Sequence, residues 1–243
     1  MQSEPITLVL LPGMDGSGEL FAPFVEALGP QVPVVVVRYP GERALGYAGL
    51  AAVAQAAMPA GPHVILGESF SGPIAAMLAA SAPPGLRGIV LCCSFVRSPR
   101  PRLAHLRFLL PMRWMPLGLL GSVLMGRWWS APLQARLAGA MASLAPRALR
   151  ARLRAVLTVD AAGALAASRV PLLYLQASSD LVVPRRAAQV VQSIRPDMRL
   201  VEITGPHFLL QAAPAEAAQA VKAFLGNLST GAAQPAEPNV SRP

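Results

Sequence analysis

Acidic residues are missing from a long central stretch of this chain, with none between Glu68 and Asp160. The same stretch carries Arg87, Arg97, Arg100, Arg102, Arg107, Arg113, Arg127, Arg136, Arg147, Arg150, Arg152 and Arg154, so it presents a positive field. Lysine is scarce as well, at one residue against twenty arginines, and the formal net charge is +9. A solvated basic face and attraction to an acidic substrate or an anionic lipid surface both fit this pattern. Nucleic acid fits it poorly: no nucleic-acid motif is present and few aromatics interleave the arginines. The expected partners are therefore a small substrate and peripheral contact with an anionic membrane through the arginine-rich segment, with no nucleic acid.

Cysteine is limited to the adjacent pair Cys92 and Cys93 in an apolar run, which excludes an ordinary disulfide framework and reads as small buried side chains in a strand. The three histidines, His63, His105 and His207, fall at no zinc-ligand spacing, so no metal is expected. Hydrophobic residues make up 53% of the chain and the mean hydropathy is +0.47, yet no long uninterrupted apolar run occurs. The charge-free stretch 114–126 contains Pro116, Gly118 and Gly121, and it is shorter than the roughly 20 apolar residues a spanning helix needs. The opening Met-Gln-Ser-Glu-Pro lacks the basic and apolar regions of a secretory signal, so a cytoplasmic protein is expected.

Strand and helix patterns alternate in what remains. Residues 6–11, 32–39, 63–66 and 88–93 are apolar runs closed by turn residues and read as buried strands. Between them, 20–28, 45–58 and 70–82 read as helices. This alternation predicts an α/β fold with a mostly parallel sheet covered on both faces and joined by right-handed crossovers. The rhythm breaks after Ser94. Helical segments are expected at 103–110, 117–125, 133–144 and 146–159, with no β-rich run between 97 and 167. Alternation returns with a strand at 171–176, a helix at 185–194, a strand at 199–204 and a helix at 214–228. The expected organisation is a core of 1–96 and 168–228, a helical cap at 97–167 and a disordered tail at 229–243.

The strongest chemical signal is the run from Val64 to Gly72. A buried strand enters Gly67-Glu68-Ser69-Phe70-Ser71-Gly72, and a helix follows at once. A serine on a sharp strand-to-helix turn is lifted clear of the sheet, and its neighbours must be small because strand and helix nearly touch. The helix N-terminus favours negative charge that develops there. The pattern resembles the Gly-x-Ser-x-Gly nucleophile elbow of the α/β-hydrolase superfamily, with Ser71 at the last position and glycine one residue later.

The resemblance extends over residues 6–228. The strand at 171–176 leads into Asp180, as in that family's acid-bearing loop, and the last strand leads into His207, as in its histidine loop; Ser, Asp, His is the family's chain order. The resemblance implies Ser69 as nucleophile, His207 as general base and Asp180 as the acid that orients it. Asp160 and Asp197 are alternatives for the acid. Glu68 reads as a structural or pocket residue. The oxyanion hole is implied at the backbone N–H groups of Phe70 and Met14, the latter in the glycine-rich loop 13–18. That loop lacks the Gly-Lys-Ser/Thr of a phosphate loop and the spacing of a dinucleotide fingerprint, so no cofactor is expected. Nothing before Ile6 corresponds to the family's leading hairpin, so six strands are expected.

The predicted reaction is hydrolysis of a carboxylic ester or thioester of a hydrophobic substrate through an acyl-serine intermediate. Acyl transfer on the same residues and non-catalytic binding of a lipid or other ligand are the alternatives. Phe108, Leu109, Leu110, Trp114, Met115, Leu119, Leu120, Met125, Trp128 and Trp129 make the 97–167 segment apolar. They could line a pocket, seat the cap on the core, or rest on a membrane.

Overall fold

Six parallel strands form one sheet: β1 (Thr7–Leu11), β2 (Val34–Val36), β3 (His63–Glu68), β4 (Leu86–Cys92), β5 (Leu172–Ala177) and β6 (Arg199–Ile203). Their spatial order is β2-β1-β3-β4-β5-β6. The computed structural model describes residues 4–100, 125, 128 and 130–230. The expected helix at 103–110, most of that at 117–125, most of the aromatic and leucine residues of the insertion, and the tail beyond 230 lie outside the described residues.

Side chains alternate along each strand and build two apolar layers. Val9, Leu11, Ile65, Ile89, Leu91 and Tyr174 enter one layer, and Leu8, Leu10, Val64, Leu66, Val90 and Leu173 enter the other. The first layer is covered by α2 (Tyr47–Gln55), α3 (Gly72–Ala80), α6 (Ala162–Ala167) and α7 (Arg186–Ile194). The second is covered by α1 (Ala22–Leu28), the short α8 (Leu209–Ala212) and α9 (Pro214–Thr230). Burial on both faces is why the central strands read as continuous apolar runs rather than as alternating ones.

Two further helices, α4 (Ala131–Ala142) and α5 (Pro146–Thr158), belong to the arginine-rich insertion. Leu137 and Ala140 of α4 pack on Leu20 and Phe208. The Ala145 N–H donates to the Gly41 carbonyl at 3.1 Å, and Arg147 reaches the Glu42 carbonyl at 2.5 Å. Every one of these contacts is on a loop that follows the C-terminal end of a strand, so the two helices rest over that edge of the sheet.

Several expectations need correction. The second strand spans three half-buried residues rather than 32–39, because β2 lies at the sheet edge with β1 as its sole partner. The helix expected at 45–58 is confined to Tyr47–Gln55. That expected at 70–82 opens as a 3-10 turn, Ser69–Ser71, before α3 begins. The last helix runs on to Thr230, so residues 229 and 230 are not tail. The basic stretch between Glu68 and Asp160 is not wholly solvated: Arg152 within it is buried, at 0% exposure, as is Arg195 outside it, at 7%. Both donate to backbone carbonyls, Arg195 to those of Ser168 and Val170 as well as to the Asp197 carboxylate. Among the described residues no helix is long and apolar enough to cross a membrane, and no group of three or more His, Cys, Asp or Glu could hold a metal ion.

Candidate active site

Because all six strands run the same way, the loops that leave β1, β3, β4, β5 and β6 emerge on one edge. The chain order reverses between β1 and β3, the position at which sheets of this kind form a crevice. Ser69 follows β3 and has φ +48°, in the left-handed region that side chains avoid. Holding a serine there costs about 1–3 kcal/mol, so the surroundings must enforce it. Ser94, after β4, donates to the Ser69 carbonyl, and the Tyr174 hydroxyl of β5 donates to the Ser94 carbonyl at 2.6 Å. The turn is also sterically closed. A Cβ on Gly67 would lie 2.7 Å from the Ser71 carbonyl oxygen, and one on Gly72 would collide with Ser94. Glycine is therefore required at 67 and 72, while position 71 has room for a side chain.

That side chain has its own partners. Ser71 Oγ donates to the Pro12 carbonyl at the end of β1, and the Tyr39 hydroxyl lies 2.8 Å from the same oxygen. The departure from glycine at position 71 thus joins the elbow to the loop 13–18.

The three polar side chains named from the sequence meet in one line. Ser69 Oγ lies 2.8 Å from His207 Nε2, and His207 Nδ1 lies 2.8 Å from Asp180 Oδ2. A carboxylate can only accept, so the imidazole proton sits on Nδ1, and Nε2 is left to accept from the serine hydroxyl. Asp180 Oδ1 accepts the N–H groups of Val182 and Val183, both at 2.8 Å, which sets the plane of the carboxylate. The His207 and Asp180 side chains are 3% and 6% exposed, whereas Ser69 is half-buried. The imidazole is shielded while the hydroxyl stays accessible.

The other acids and histidines lie elsewhere. Asp160 forms an exposed ion pair with Arg97, and Asp197 pairs with Arg195. His63 begins β3, at the far end from Ser69, and its Nδ1 bonds the Gly61 carbonyl. His105 lies outside the described residues. Glu68 points beneath the loop 13–18: a Cβ on Gly13 would lie 3.9 Å from Glu68 Oε2. Its Oε1 accepts from Gln211 Nε2 at 3.0 Å. Burial raises the Glu68 carboxyl from 4.5 to about 7; the Gln211 hydrogen bond opposes the rise and the Asp15 charge adds to it.

Met14 and Phe70 sit on the two segments that Ser71 links. The loop 13–18 turns tightly, with Gly16 N–H donating to the Gly13 carbonyl at 3.2 Å and φ +74° at both Gly16 and Gly18. Among the described residues, none accepts a hydrogen bond from the Met14 N–H. On the far side of the loop, the buried Arg152 of α5 donates from Nη1 to the carbonyls of Met14 at 2.7 Å and Asp15 at 2.9 Å. Its Nη2 donates to the Pro40 carbonyl at 3.2 Å. A buried guanidinium without such partners would be strongly destabilising. The sequence pattern does not single out Arg152, Tyr39, Ser94 or Tyr174, and it shows Ser71 only as a position in a motif, without its partners. A signal existed for Ser71, in the broken motif. For Arg152 the helical spacing from Ala148, the other buried residue of α5, was the sole hint.

The sequence matches the family described as "Alpha/beta hydrolase family" over residues 8–220. No curated protein matches it by sequence. Among solved structures, an esterase from Exiguobacterium antarcticum is similar with a TM-score of 0.79 at 15% identity, over 93% of each chain. A hydrolase from Oleispira antarctica has a TM-score of 0.78 at 18% identity, again over 93% of each chain. A bromoperoxidase from Bacillus anthracis has a TM-score of 0.75 at 16% identity, over 92% of each chain. At these identities the likeness is one of fold.

Proposed function

The chain belongs to the α/β-hydrolase family, and from that membership we propose that it cleaves a carboxylic ester or thioester of a hydrophobic substrate through an acyl-serine intermediate. The single observation that carries this reading is the line of two 2.8 Å hydrogen bonds from Ser69 through His207 to Asp180.

In this reading Ser69 Oγ attacks the carbonyl carbon as its proton passes to His207 Nε2. Asp180 holds the tautomer and stabilises the imidazolium. The oxygen of the tetrahedral intermediate takes up negative charge and is met by the N–H groups of Met14 and Phe70. His207 then protonates the leaving alcohol or thiol as the carbon–oxygen or carbon–sulfur bond breaks. A water, deprotonated by the same nitrogen, attacks the acyl-serine, and the bond to Ser69 Oγ breaks as His207 returns the proton to that oxygen, releasing the acid.

Similarity to an esterase supports ester chemistry, while similarity to a bromoperoxidase is a reminder that this fold carries other reactions. The test is labelling with a fluorophosphonate probe, together with turnover of short and medium-chain p-nitrophenyl esters. Wild type is expected to be labelled and active. Ser69→Ala should lose labelling and at least about 10⁴-fold in kcat. Labelling or turnover that survives the substitution would overturn the proposal.

A further inference from the structure

Arg152 is the largest fully buried side chain among the described residues, and its polar partners lie on two segments, the loop after β1 and the chain after β2. It enters from α5 on the face shared with Ala148, the other buried residue of that helix. Nη1 takes the carbonyls of Met14 and Asp15, Nη2 takes that of Pro40, and the guanidinium carbon lies 5.8 Å from the centre of the Tyr39 ring. Gly16 closes the contact, since a Cβ there would collide with Nη1.

A simple ion pair would be another reason to bury an arginine here, and the geometry argues against it. The Asp15 carboxylate is turned back on its own loop, where Oδ2 accepts the Ser17 N–H at 2.9 Å and the Ser17 hydroxyl at 2.6 Å. The arginine therefore binds main-chain carbonyls, and in doing so it sets peptide planes. In the turn 13–16, the Met14 carbonyl belongs to the central peptide, the plane whose rotation interconverts turn types. The Gly13 carbonyl, in the plane that carries the Met14 N–H, is held by Gly16. With Arg152 on the next two carbonyls, every plane of the turn is tied down.

We propose that Arg152 is a positioning residue which, by holding the Met14 and Asp15 carbonyls, keeps the turn 13–16 in the one orientation that presents the Met14 N–H to the oxyanion. This rests on the oxyanion role given to Met14 above. It also makes stabilisation of the intermediate depend on the seating of α5, a helix that contributes none of the residues assigned to the reaction.

The test compares wild type, Arg152→Met and Arg152→Lys, with rates normalised to active enzyme by fluorophosphonate titration, so that any unfolded fraction is not counted. Loss of one oxyanion donor is worth about 10²–10³ in kcat, so loss of its orientation is expected to lower kcat by about 10–100-fold with KM little changed. Affinity for a trifluoromethyl ketone, which forms a tetrahedral adduct, should weaken by the same factor as kcat, because both report the intermediate. Arg152→Lys, which keeps a donor and the charge, should recover part of the loss. In a double-mutant cycle with Gly16→Ala, which crowds the same contact, the two losses should be less than additive.

Amide hydrogen exchange gives a readout independent of turnover: the Gly16 and Tyr39 amides should exchange faster in Arg152→Met while those of β3 do not. An active wild type with kcat and ketone affinity of Arg152→Met within twofold overturns this inference and leaves the hydrolase reading intact. A wild type inert to every ester and to the probe overturns the hydrolase reading. Exchange then decides only whether Arg152 holds the turn, and unchanged exchange at Gly16 and Tyr39 sinks that as well.

Discussion

The two sides of the site are held in different ways. On one side Ser69, His207 and Asp180 each stand just beyond a strand of the same sheet, and they bond to one another through side chains. On the other side the loop 13–18 is supported from outside, by Ser71 on the Pro12 carbonyl and by Arg152 on the carbonyls of Met14 and Asp15. The first side takes its geometry from the sheet, which exists for reasons of packing. The second depends on buried polar contacts made across the chain. The lesson is a separation of consequences: damage to the first side should remove chemistry and spare the fold, while damage to the second should reach stability as well.

The sharpest way to break that contrast is Asp180→Asn. The amide can donate to Nδ1 and so favours the wrong tautomer of His207, and turnover should fall by about 10³–10⁴-fold. Thermal unfolding should shift little. Retained activity, or a large loss of stability, would mean that the two sides do not differ in the way described.

Glu68→Gln probes the ground beneath the second side. The folded carboxyl titrates near 7, above its ordinary value of 4.5, so the folded state binds the extra proton between those values. Stability linked to Glu68 is therefore fully present below pH 4.5 and is lost as pH rises through about 7. The shift corresponds to roughly 3 kcal/mol at full burial. Urea unfolding of wild type and Glu68→Gln should show a stability difference that moves in favour of the glutamine variant between pH 5 and 8, and a difference that does not vary with pH would contradict the account.

Ser71→Ala is the mildest of the three. It leaves the Tyr39 hydroxyl and the Pro12 carbonyl without a shared partner, at a cost of about 1–3 kcal/mol in urea unfolding. Ser71→Gly should cost at least as much, even though it restores the family pattern. If glycine proved stabilising, the link between elbow and loop would have no energetic weight.

The first side was legible in the sequence and the second was not, for a physical reason. Strands buried on both faces leave apolar runs, and residues at strand ends follow those runs at once, so the turn at Ser69 is visible as local pattern, while Asp180 and His207 follow from the resemblance to the α/β-hydrolase chain order. Even there, the edge strand β2 is shorter than its apolar run, because Val32 to Tyr39 carry the same pattern whether or not a second neighbour is present. Arg152 bonds carbonyls 137 and 138 residues away, and a carbonyl has no residue type. Any sequence can offer it. An arginine among arginines therefore read as part of a solvated surface, and Gln211, which bonds Glu68 across 143 residues, left no trace either. Ser71 was visible as an exception to a motif, and its partners were not.

The reach of Arg152 has a consequence for how the protein comes into being. During synthesis the first strand and its loop leave the ribosome long before residue 152 does, and His207 emerges later still. Until then a nascent chain carries a serine with no imidazole to deprotonate it and a turn with nothing to hold its carbonyls. Closing so long a loop costs only slightly more entropy than closing a short one, so the delay is one of time rather than of free energy. If Ser69 is acylated as proposed, its reactivity arrives only at the end of folding, when acylation of an unfinished polypeptide is no longer a hazard.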